Sequence, residues 1–223
     1  MRTLIHIILA FLPWFIRRRL LCLCFKYKID PTARIGFSLV MPEKLEMGRK
    51  CYIGHFTVCR GSVDRLSMAD DSRMGSFHLI TGISTKNKKH FTHVQNRRCE
   101  MVIETGVGIP SRKFFDCNGG IYIGAYSTVA GQWTQFLTHS IDIYHARQDA
   151  RPIKLGRYCF IGTGCVLLPG SALPDYSVLA AGAVLNKSYD ESGWVYAGVP
   201  AVPKKKINPN DIPWMTRDTL AVD

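Results

Sequence analysis

Two histidines mark the part of this 223-residue chain where the residue types could do chemistry. His139 follows Thr138, and His145 lies six positions further along the chain. A neutral imidazole near pH 7 can take a proton from a hydroxyl while a hydrogen-bond acceptor orients its second nitrogen. Two histidines can also be metal ligands. A lone histidine is more often a hydrogen-bonded structural residue, so the surrounding elements decide between these interpretations.

Those surrounding elements repeat with a period of six residues. From Leu155 onward an aliphatic residue recurs at every sixth position, and a small residue follows each of the first five by four positions. The aliphatic series is Leu155, Ile161, Leu167, Leu173, Leu179 and Leu185, and the small series is Cys159, Cys165, Ser171, Ser177 and Ala183. Because six is even, each series points to one face of an extended chain, whereas on a helix its members would diverge. The repeat therefore predicts an all-β fold, a parallel β-helix of short stacked strands.

The same spacing occurs twice earlier in the chain. The earlier series are Ile35, Met41, Met47, Ile53, Cys59 and then Ile103, Ile109, Phe115, Ile121, which resumes out of phase at Ile123 and Val129. A β-sandwich with accidental spacing is disfavoured by so many consecutive members. Two insertions interrupt the repeat, at 84–98 and 132–152, and loops that leave a regular coil are the usual place for binding and chemistry. The 84–98 insertion is basic, which is typical either of a lid over an anionic acceptor or of a solvated loop.

The stretch from Leu155 to Leu185 resembles the hexapeptide-repeat acyltransferases. With its interruption around Thr138-His139, the chain is most similar to O-acetyltransferases of the maltose, galactoside and capsule-polysaccharide kind. The resemblance implies a left-handed β-helix, a homotrimer, acetyl-coenzyme A as co-substrate with no metal, and His139 as general base. The acceptor would be a sugar or a lipid-linked glycan precursor. Candidate acceptor contacts are Asp116, Asn118, Trp133, Asp142 and His145; turn formation explains the first two equally well, and Trp133 is as easily structural.

The donor site is predicted near the end of the repeat. The segment Gly198-Val199-Pro200-Ala201, followed by lysines, resembles the part of these enzymes that lies beside bound coenzyme A. The resemblance implies that Lys204 and Lys205 meet the phosphates and that small residues admit the pantetheine arm. The small candidates are Gly162, Gly164, Ala180, Ala181 and Gly182. A solvated lysine run and simple turn geometry are the alternatives for these residues.

Other functions stay open at this point. The γ-class carbonic anhydrases share the β-helix and bind zinc through three histidines, but they place four residues between their close pair, where five separate His139 from His145. A longer acyl chain, an amine acceptor, or a non-catalytic scaffold would also fit the repeat. The 29 Lys and Arg against 17 Asp and Glu give a net charge of +12 and favour an anionic partner. Nucleic acid is disfavoured because the basic residues are not interleaved with a stacking platform.

The chain is divided by sequence into three parts. Residues 1–28 contain an apolar stretch of about 13 residues, too short for the ~20 of a membrane span, followed by Arg17, Arg18 and Arg19. This predicts helices in the interface, with Trp14 and Phe15 in the acyl boundary and the arginines on anionic headgroups. Packing on the protein body is the alternative. Residues 29–203 form the β-helix, and 204–223 are predicted to be a basic tail.

The eight cysteines are predicted to be reduced thiols used as small apolar residues, since no CxxC pair is present. Reduced thiols and the basic amino terminus place the protein in the cytoplasm, peripheral on the inner face of a bacterial cytoplasmic membrane.

Overall fold

The computed structural model describes residues 2–219; Met1 and residues 220–223 lie outside the described part of the chain. Its centre is a parallel β-helix with three flat faces. Face 1 contains β1 (Lys28–Ile29), β4 (Lys44–Met47), β7 (Arg65–Met68), β10 (Glu100–Ile103), β13 (Ile121–Ile123), β18 (Ile153–Leu155) and β21 (Ala172–Leu173). Face 2 contains β2 (Arg34–Ile35), β5 (Tyr52–Ile53), β8 (Arg73–Met74), β11 (Gly108–Ile109), β14 (Thr128–Val129), β19 (Phe160–Ile161), β22 (Val178–Leu179), β24 (Trp194–Ala197) and β25 (Val202–Lys206). Face 3 contains β3 (Leu39–Val40), β6 (Val58–Cys59), β9 (Leu79–Thr81), β12 (Phe114–Asp116), β15 (Gln135–Leu137), β20 (Val166–Leu167) and β23 (Val184–Leu185).

The chain passes through faces 1, 2 and 3 in turn, so that equivalent residues of successive coils lie side by side. Leu155 pairs with Leu173, and Ile161 pairs with Leu179. We call the edge where the chain turns from face 2 to face 3 the 2/3 corner, and the edge from face 3 to face 1 the 3/1 corner. Equivalent residues of successive coils are therefore aligned along each face and along each corner of the β-helix.

The predicted inward series is confirmed. All six aliphatic members from Leu155 to Leu185 are at most 4% exposed, and the small residues that follow them are at most 1% exposed. Burial of one large and one small side chain per short strand fills a narrow triangular interior, and each coil buries its apolar side only against its neighbours. The earlier series is buried as well, from Ile35 to Cys59 and from Ile103 to Ile121.

The second insertion begins later than the sequence predicted. Strand β15 still belongs to face 3, because Phe136 pairs with Phe115 below and Leu167 above and is fully buried. Phe136 lies seven residues after Val129 rather than six, and this extra residue hid the strand from a six-residue search. The excursion comprises 138–152 and contains an antiparallel hairpin, β16 (His139–Asp142) with β17 (Arg147–Ala150). The first excursion lies between β9 and β10 and has no strand within 82–99.

Two helices cover the amino-terminal end of the coil: α1 (Arg2–Ala10) and α2 (Trp14–Phe25). Leu21 is buried in the core, and Arg17 is only 5% exposed. Arg17 donates to the backbone carbonyls of Gly36 at 2.8 Å and Ser38 at 2.6 Å, and Arg18 donates to that of Ile29 at 2.8 Å. The prediction that these two arginines contact lipid headgroups is therefore wrong: unpaired carbonyls of the first coil bind them instead.

The outer side of the helices is apolar, with Leu4, Ile8, Phe11, Phe15 and Leu23 all more than half exposed. Among residues 2–219, no helix has both the length and the apolar character needed to cross a bilayer.

The carboxyl-terminal residues fold back on the coil. Strand β25 pairs antiparallel with β24, so the predicted basic tail begins as an edge strand. A short 3-10 helix (Pro209–Asp211) and α3 (Pro213–Thr216) follow. Trp214 packs edge-on against Phe160 at 5.6 Å, and Arg217 donates to the backbone carbonyl of Tyr126 at 2.6 Å. These contacts correct the prediction of a tail for residues 204–219; residues 220–223 lie outside the described chain.

Candidate functional site

His139 lies at the 3/1 corner, where the chain leaves face 3 after β15 and enters the hairpin. The preceding Thr138 is fully buried, and its hydroxyl donates to the backbone carbonyl of Asp116 at 2.6 Å. The Gly119 N–H donates to the same hydroxyl at 2.7 Å. Thr138 thus fastens the start of the excursion to the coil below, and the imidazole of His139 stands at a fixed point with 37% of its side chain exposed.

A buried carboxylate holds that imidazole. Asp116, at the end of β12 in the coil below, is 1% exposed, and its Oδ2 accepts a short hydrogen bond from Nδ1 of His139. The same oxygen accepts the backbone N–H groups of Thr138 and His139, each at 3.0 Å. Asp116 was predicted as an acceptor contact; the structure places it beneath the imidazole, out of reach of solvent. It is a positioning residue, because it fixes the tautomer that leaves Nε2 free to accept a proton.

Asn118 completes this network. Its side-chain amide donates to Oδ1 of Asp116 at 2.5 Å and lies 3.2 Å from Nδ1 of His139. Its carbonyl oxygen accepts the N–H of Ile83 at 2.7 Å. Asn118 is 4% exposed, so it too supports the histidine from below. The expected contact of Asn118 with an acceptor does not fit this position.

The hydrogen bond that His139 donates to Asp116 raises the pKa of His139 above its ordinary value, and partial burial of the ring opposes that shift. A raised pKa makes Nε2 a stronger base, and the carboxylate stabilises the imidazolium that forms when it accepts a proton. The geometry therefore supplies an oriented general base with an exposed reactive edge.

The first insertion packs against His139. This contact was not predicted from the sequence. Phe91 is 5% exposed and meets the His139 ring edge-on, with centroids 5.9 Å apart. The guanidinium of Arg97 lies 4.7 Å from the Phe91 ring centre and donates to the carbonyls of Ile83 at 2.8 Å and Asn118 at 3.0 Å. The insertion is thus bound to the coil beside the imidazole.

Two of the predicted acceptor contacts, Asp142 and His145, lie on the hairpin away from His139. His139 pairs with Ala150 at its base, whereas His145 lies in the turn beyond the last pair, Asp142 with Arg147. His145 Nδ1 and Asp142 Oδ2 lie 2.7 Å apart and form their own exposed pair. The two histidines therefore occupy opposite ends of the arm and do not converge on one ion. Within residues 2–219, no group of three or more His, Cys, Asp or Glu side chains is arranged to hold a metal.

Trp133 lies at the 2/3 corner, across face 3 from His139, and is 68% exposed. It is not brought beside the imidazole of its own chain.

The small donor-site candidates form one patch on the same 2/3 corner, in the coils above Trp133. A Cβ on Gly162 would meet the backbone nitrogen of Ala181 at 2.5 Å, so these two coils touch there without side chains. Gly164 and Gly182 have left-handed φ angles of 65° and 70°, and a Cβ on either would meet nothing within 4 Å. These glycines leave an open strip along the corner, with room for a ligand against the backbone.

Lys204 and Lys205 lie in β25, at the outer edge of face 2, and are exposed. The preceding strand β24 ends near Gly198, whose carbonyl accepts the N–H of Val184 in the last coil at 3.1 Å. The lysines are therefore at the carboxyl-terminal end of the β-helix, as is the open strip.

All eight cysteines are free in the structure, and six of them are buried. Burial raises the pKa of Cys59 and Cys159 to about 12. These cysteines act as small apolar side chains rather than as nucleophiles.

Comparison with known proteins supports the fold. No protein-family model matches the sequence. Among solved structures, the polysialic acid O-acetyltransferase OatWY is similar with a TM-score of 0.61 and 17% identity, over 81% of this chain and 84% of that one. A variant of AntD, an N-acyltransferase from Bacillus cereus, in complex with dTDP and coenzyme A, has a TM-score of 0.55 and 11% identity, over 90% and 94% of the two chains. AntD in complex with dTDP and 3-hydroxybutyryl-CoA gives a TM-score of 0.55 and 11% identity, over 89% and 92%. The predicted fold, a left-handed parallel β-helix, is confirmed.

Proposed function

We propose that this protein is an acyltransferase that moves an acetyl group from acetyl-coenzyme A to a hydroxyl of a sugar or lipid-linked glycan precursor. The observation that carries this proposal is the pair formed by His139 and the buried Asp116, with the free edge of the imidazole open to solvent. Because a thioester is already an activated acyl donor, acyl transfer mainly requires an oriented general base, which this pair supplies.

In the proposed reaction, Nε2 of His139 accepts the acceptor's hydroxyl proton while the oxygen attacks the thioester carbon. Asp116 stabilises the resulting imidazolium through Nδ1. The carbon–sulfur bond then breaks, and the imidazolium returns the proton to the departing thiolate. Atoms and charges balance, since the products are the acylated acceptor and the free thiol of coenzyme A.

The similar structures support the donor and the acceptor class. AntD has been crystallised with coenzyme A, with 3-hydroxybutyryl-CoA and with dTDP, and OatWY is an O-acetyltransferase of a polysaccharide. By analogy, the open strip at Gly164 and Gly182 would take the pantetheine arm, and Lys204 and Lys205 the phosphates. An amine acceptor is the second candidate, because AntD is an N-acyltransferase.

We include a homotrimer in the proposal because the two half-sites lie apart within one chain. The open strip lies on the 2/3 corner and His139 on the 3/1 corner, so the width of face 3 separates them within one chain. Contact between one chain's 3/1 corner and the next chain's 2/3 corner would bring donor and base together. Face 3 is suited to such contact, because Leu39, Val58, Leu79 and Phe114 form a row of outward apolar side chains in register.

Attachment to the inner face of a bacterial cytoplasmic membrane is also part of the proposal. Segment 2–29 contains no acidic residue, and Leu4, Ile8, Phe15 and Leu23 on the outside of α1 and α2 are all more than half exposed. Such a surface matches an anionic, partly apolar partner.

The test is acetyl transfer to a panel of nucleotide sugars and free glycosides, with product detected by mass spectrometry. Replacing the base in His139→Ala should lower turnover at least 100-fold while calorimetry shows unchanged coenzyme A affinity. His93→Ala, an exposed histidine of the first insertion, is the matched control and should behave as wild type. Wild-type turnover in His139→Ala would refute the base, and failure to bind coenzyme A would point to the non-catalytic scaffold.

A further inference from the structure

A groove of about 370 Å³ lies between the first insertion and face 1, next to the catalytic corner. The residues that matter are Arg98 and Asn96 of the insertion, Lys154 and Tyr122 of face 1, and Gly119 and Ala150 at the corner.

Two residues in the wall of this groove adjoin the chain segment that carries His139. Gly119 donates its N–H to the hydroxyl of Thr138 at 2.7 Å. Ala150 is the cross-strand partner of His139 at the base of the hairpin. The groove therefore lies against the backbone segment that holds the imidazole in place.

The charge of the groove is one-sided. Arg97, Arg98 and Lys154 line it, and no Asp or Glu of residues 2–219 is among its lining residues. Arg97 is occupied by three backbone carbonyls, those of Ile83, Ser84 and Asn118. Neither Arg98 nor Lys154 forms an ion pair or a side-chain hydrogen bond within the described chain. Glu100, which lies beside them, is bound by the Tyr122 hydroxyl at 2.9 Å and by Arg65 at 3.7 Å.

Both free cations are attached to fixed backbone. Lys154 stands in β18 between two buried residues, Ile153 and Leu155, and lies opposite Tyr122 in the next strand. Arg98 lies between the anchored Arg97 and the buried Cys99. Because the backbone at both positions is already held by the coil, binding a ligand costs the freedom of the two side chains but not the ordering of a mobile loop.

We propose that this groove binds a phosphate or diphosphate group through Arg98 and Lys154. Two cations on one wall match a group with two negative charges, and Arg in particular suits phosphate oxygens. The assignment rests on the proposed function, because the groove's position beside His139 makes the bound group part of a substrate. The phosphate belongs to the acceptor, as a nucleotide-linked or lipid-linked sugar, or to coenzyme A.

The direct test is binding of inorganic pyrophosphate to the full chain by calorimetry, with and without saturating coenzyme A. Arg98→Gln and Lys154→Gln should each weaken binding about 10-fold, and the double variant about 100-fold, as expected for loss of charged hydrogen bonds. Lys88→Gln, an exposed lysine of the same insertion outside the groove, is the matched control and should bind pyrophosphate as wild type does.

Kinetics then identify the source of the phosphate. If the double variant raises the KM for a nucleotide-diphosphate sugar but not for the corresponding methyl glycoside, the group belongs to the acceptor. If it instead weakens coenzyme A affinity, the group belongs to the donor. Unchanged pyrophosphate binding in the double variant would overturn the site. Because calorimetry needs no turnover, that result is independent of whether the acyltransferase activity itself is found.

Discussion

Asp116→Asn is the sharpest test of the proposed mechanism, because it keeps the shape of a buried side chain and removes its charge. In the native protein, Oδ2 accepts hydrogen bonds from the backbone of Thr138 and from both the backbone and Nδ1 of His139, and Oδ1 accepts two from Asn118. An asparagine has one acceptor oxygen and one amino group. One of the two edges must therefore present N–H groups to donors, whichever way the amide is oriented.

The smallest loss of stability arises if the amide group of the asparagine replaces Oδ1, which accepts two hydrogen bonds where Oδ2 accepts three. Two orphaned donors at about 1–3 kcal/mol each predict a loss of about 2–6 kcal/mol in the free energy of unfolding. The cost in kcat should be on the order of 10²–10⁴, because the imidazolium loses its stabilising carboxylate and the ring its preferred tautomer.

The pH dependence separates this mechanism from simple loss of folding. His139 must be neutral to act as base, so wild-type kcat falls as the pH drops through its pKa, which Asp116 raises above the ordinary 6.5. The substitution removes the main cause of the raised pKa, and the acid limb should move to lower pH. The free energy of unfolding depends on pH in the opposite direction to kcat. The imidazolium–carboxylate pair stabilises the wild-type fold below about pH 6.5, and this contribution disappears as the pH rises through the raised pKa of the folded protein.

The assay is release of coenzyme A, measured by chromatography from pH 5 to 9, together with thermal unfolding at each pH. Asp149→Asn, in the same hairpin and paired only with the exposed Arg151, is the matched control. A folded Asp116→Asn protein with an unmoved acid limb and kcat within threefold of wild type would refute the role assigned to the carboxylate.

Two further outcomes test the amino-terminal helices. Arg17→Ala should lower the free energy of unfolding by about 3–5 kcal/mol in denaturant titration, because two buried charged hydrogen bonds are lost; Arg19→Ala, which is exposed, should change it by less than about 0.5 kcal/mol. Ile8→Asp combined with Phe15→Asp should abolish sedimentation with phosphatidylglycerol vesicles and leave thermal unfolding unchanged, since both side chains are more than half exposed. Ile143→Asp, equally apolar and exposed on the hairpin, is the control for general loss of surface hydrophobicity; vesicle binding retained by the helix variant would contradict membrane docking there.

The sequence was sufficient for the coil because burial along a strand depends on parity alone. Leu155 and its successors could be assigned inward without any knowledge of the corners, and all are buried. Phe136 escaped the same reasoning because a corner accommodated one extra residue: Trp133 is left-handed like Arg112 at the corner below, and Gly131 is a second left-handed residue at φ 59°. A six-residue period gives the usual spacing between two inward positions, but it does not show which corner contains an additional residue.

The site was predictable only in part, for a related reason. His139 stood out by its type and by the broken repeat. Its partner Asp116 lies 23 positions earlier, and only the register of β12 with β15 brings the two together. Since one coil here spans about that many residues, a search for carboxylates one coil below His139 would have found Asp116. The contact with Phe91 had no such signal, because a loop without a period carries no register.

The helical cap has a consequence for how the protein exists in a crowded cell. The first coil of a stacked solenoid has open strand edges, and open edges invite further strands. Here the indole of Trp14 donates to the carbonyl of Ala33 at 2.9 Å, and Arg17 and Arg18 donate to three more, so these four carbonyls are not available to another strand. A chain without α1 and α2 would expose the open strand edges of its first coil to other copies. End-to-end polymerisation through these edges would then compete with side-by-side assembly.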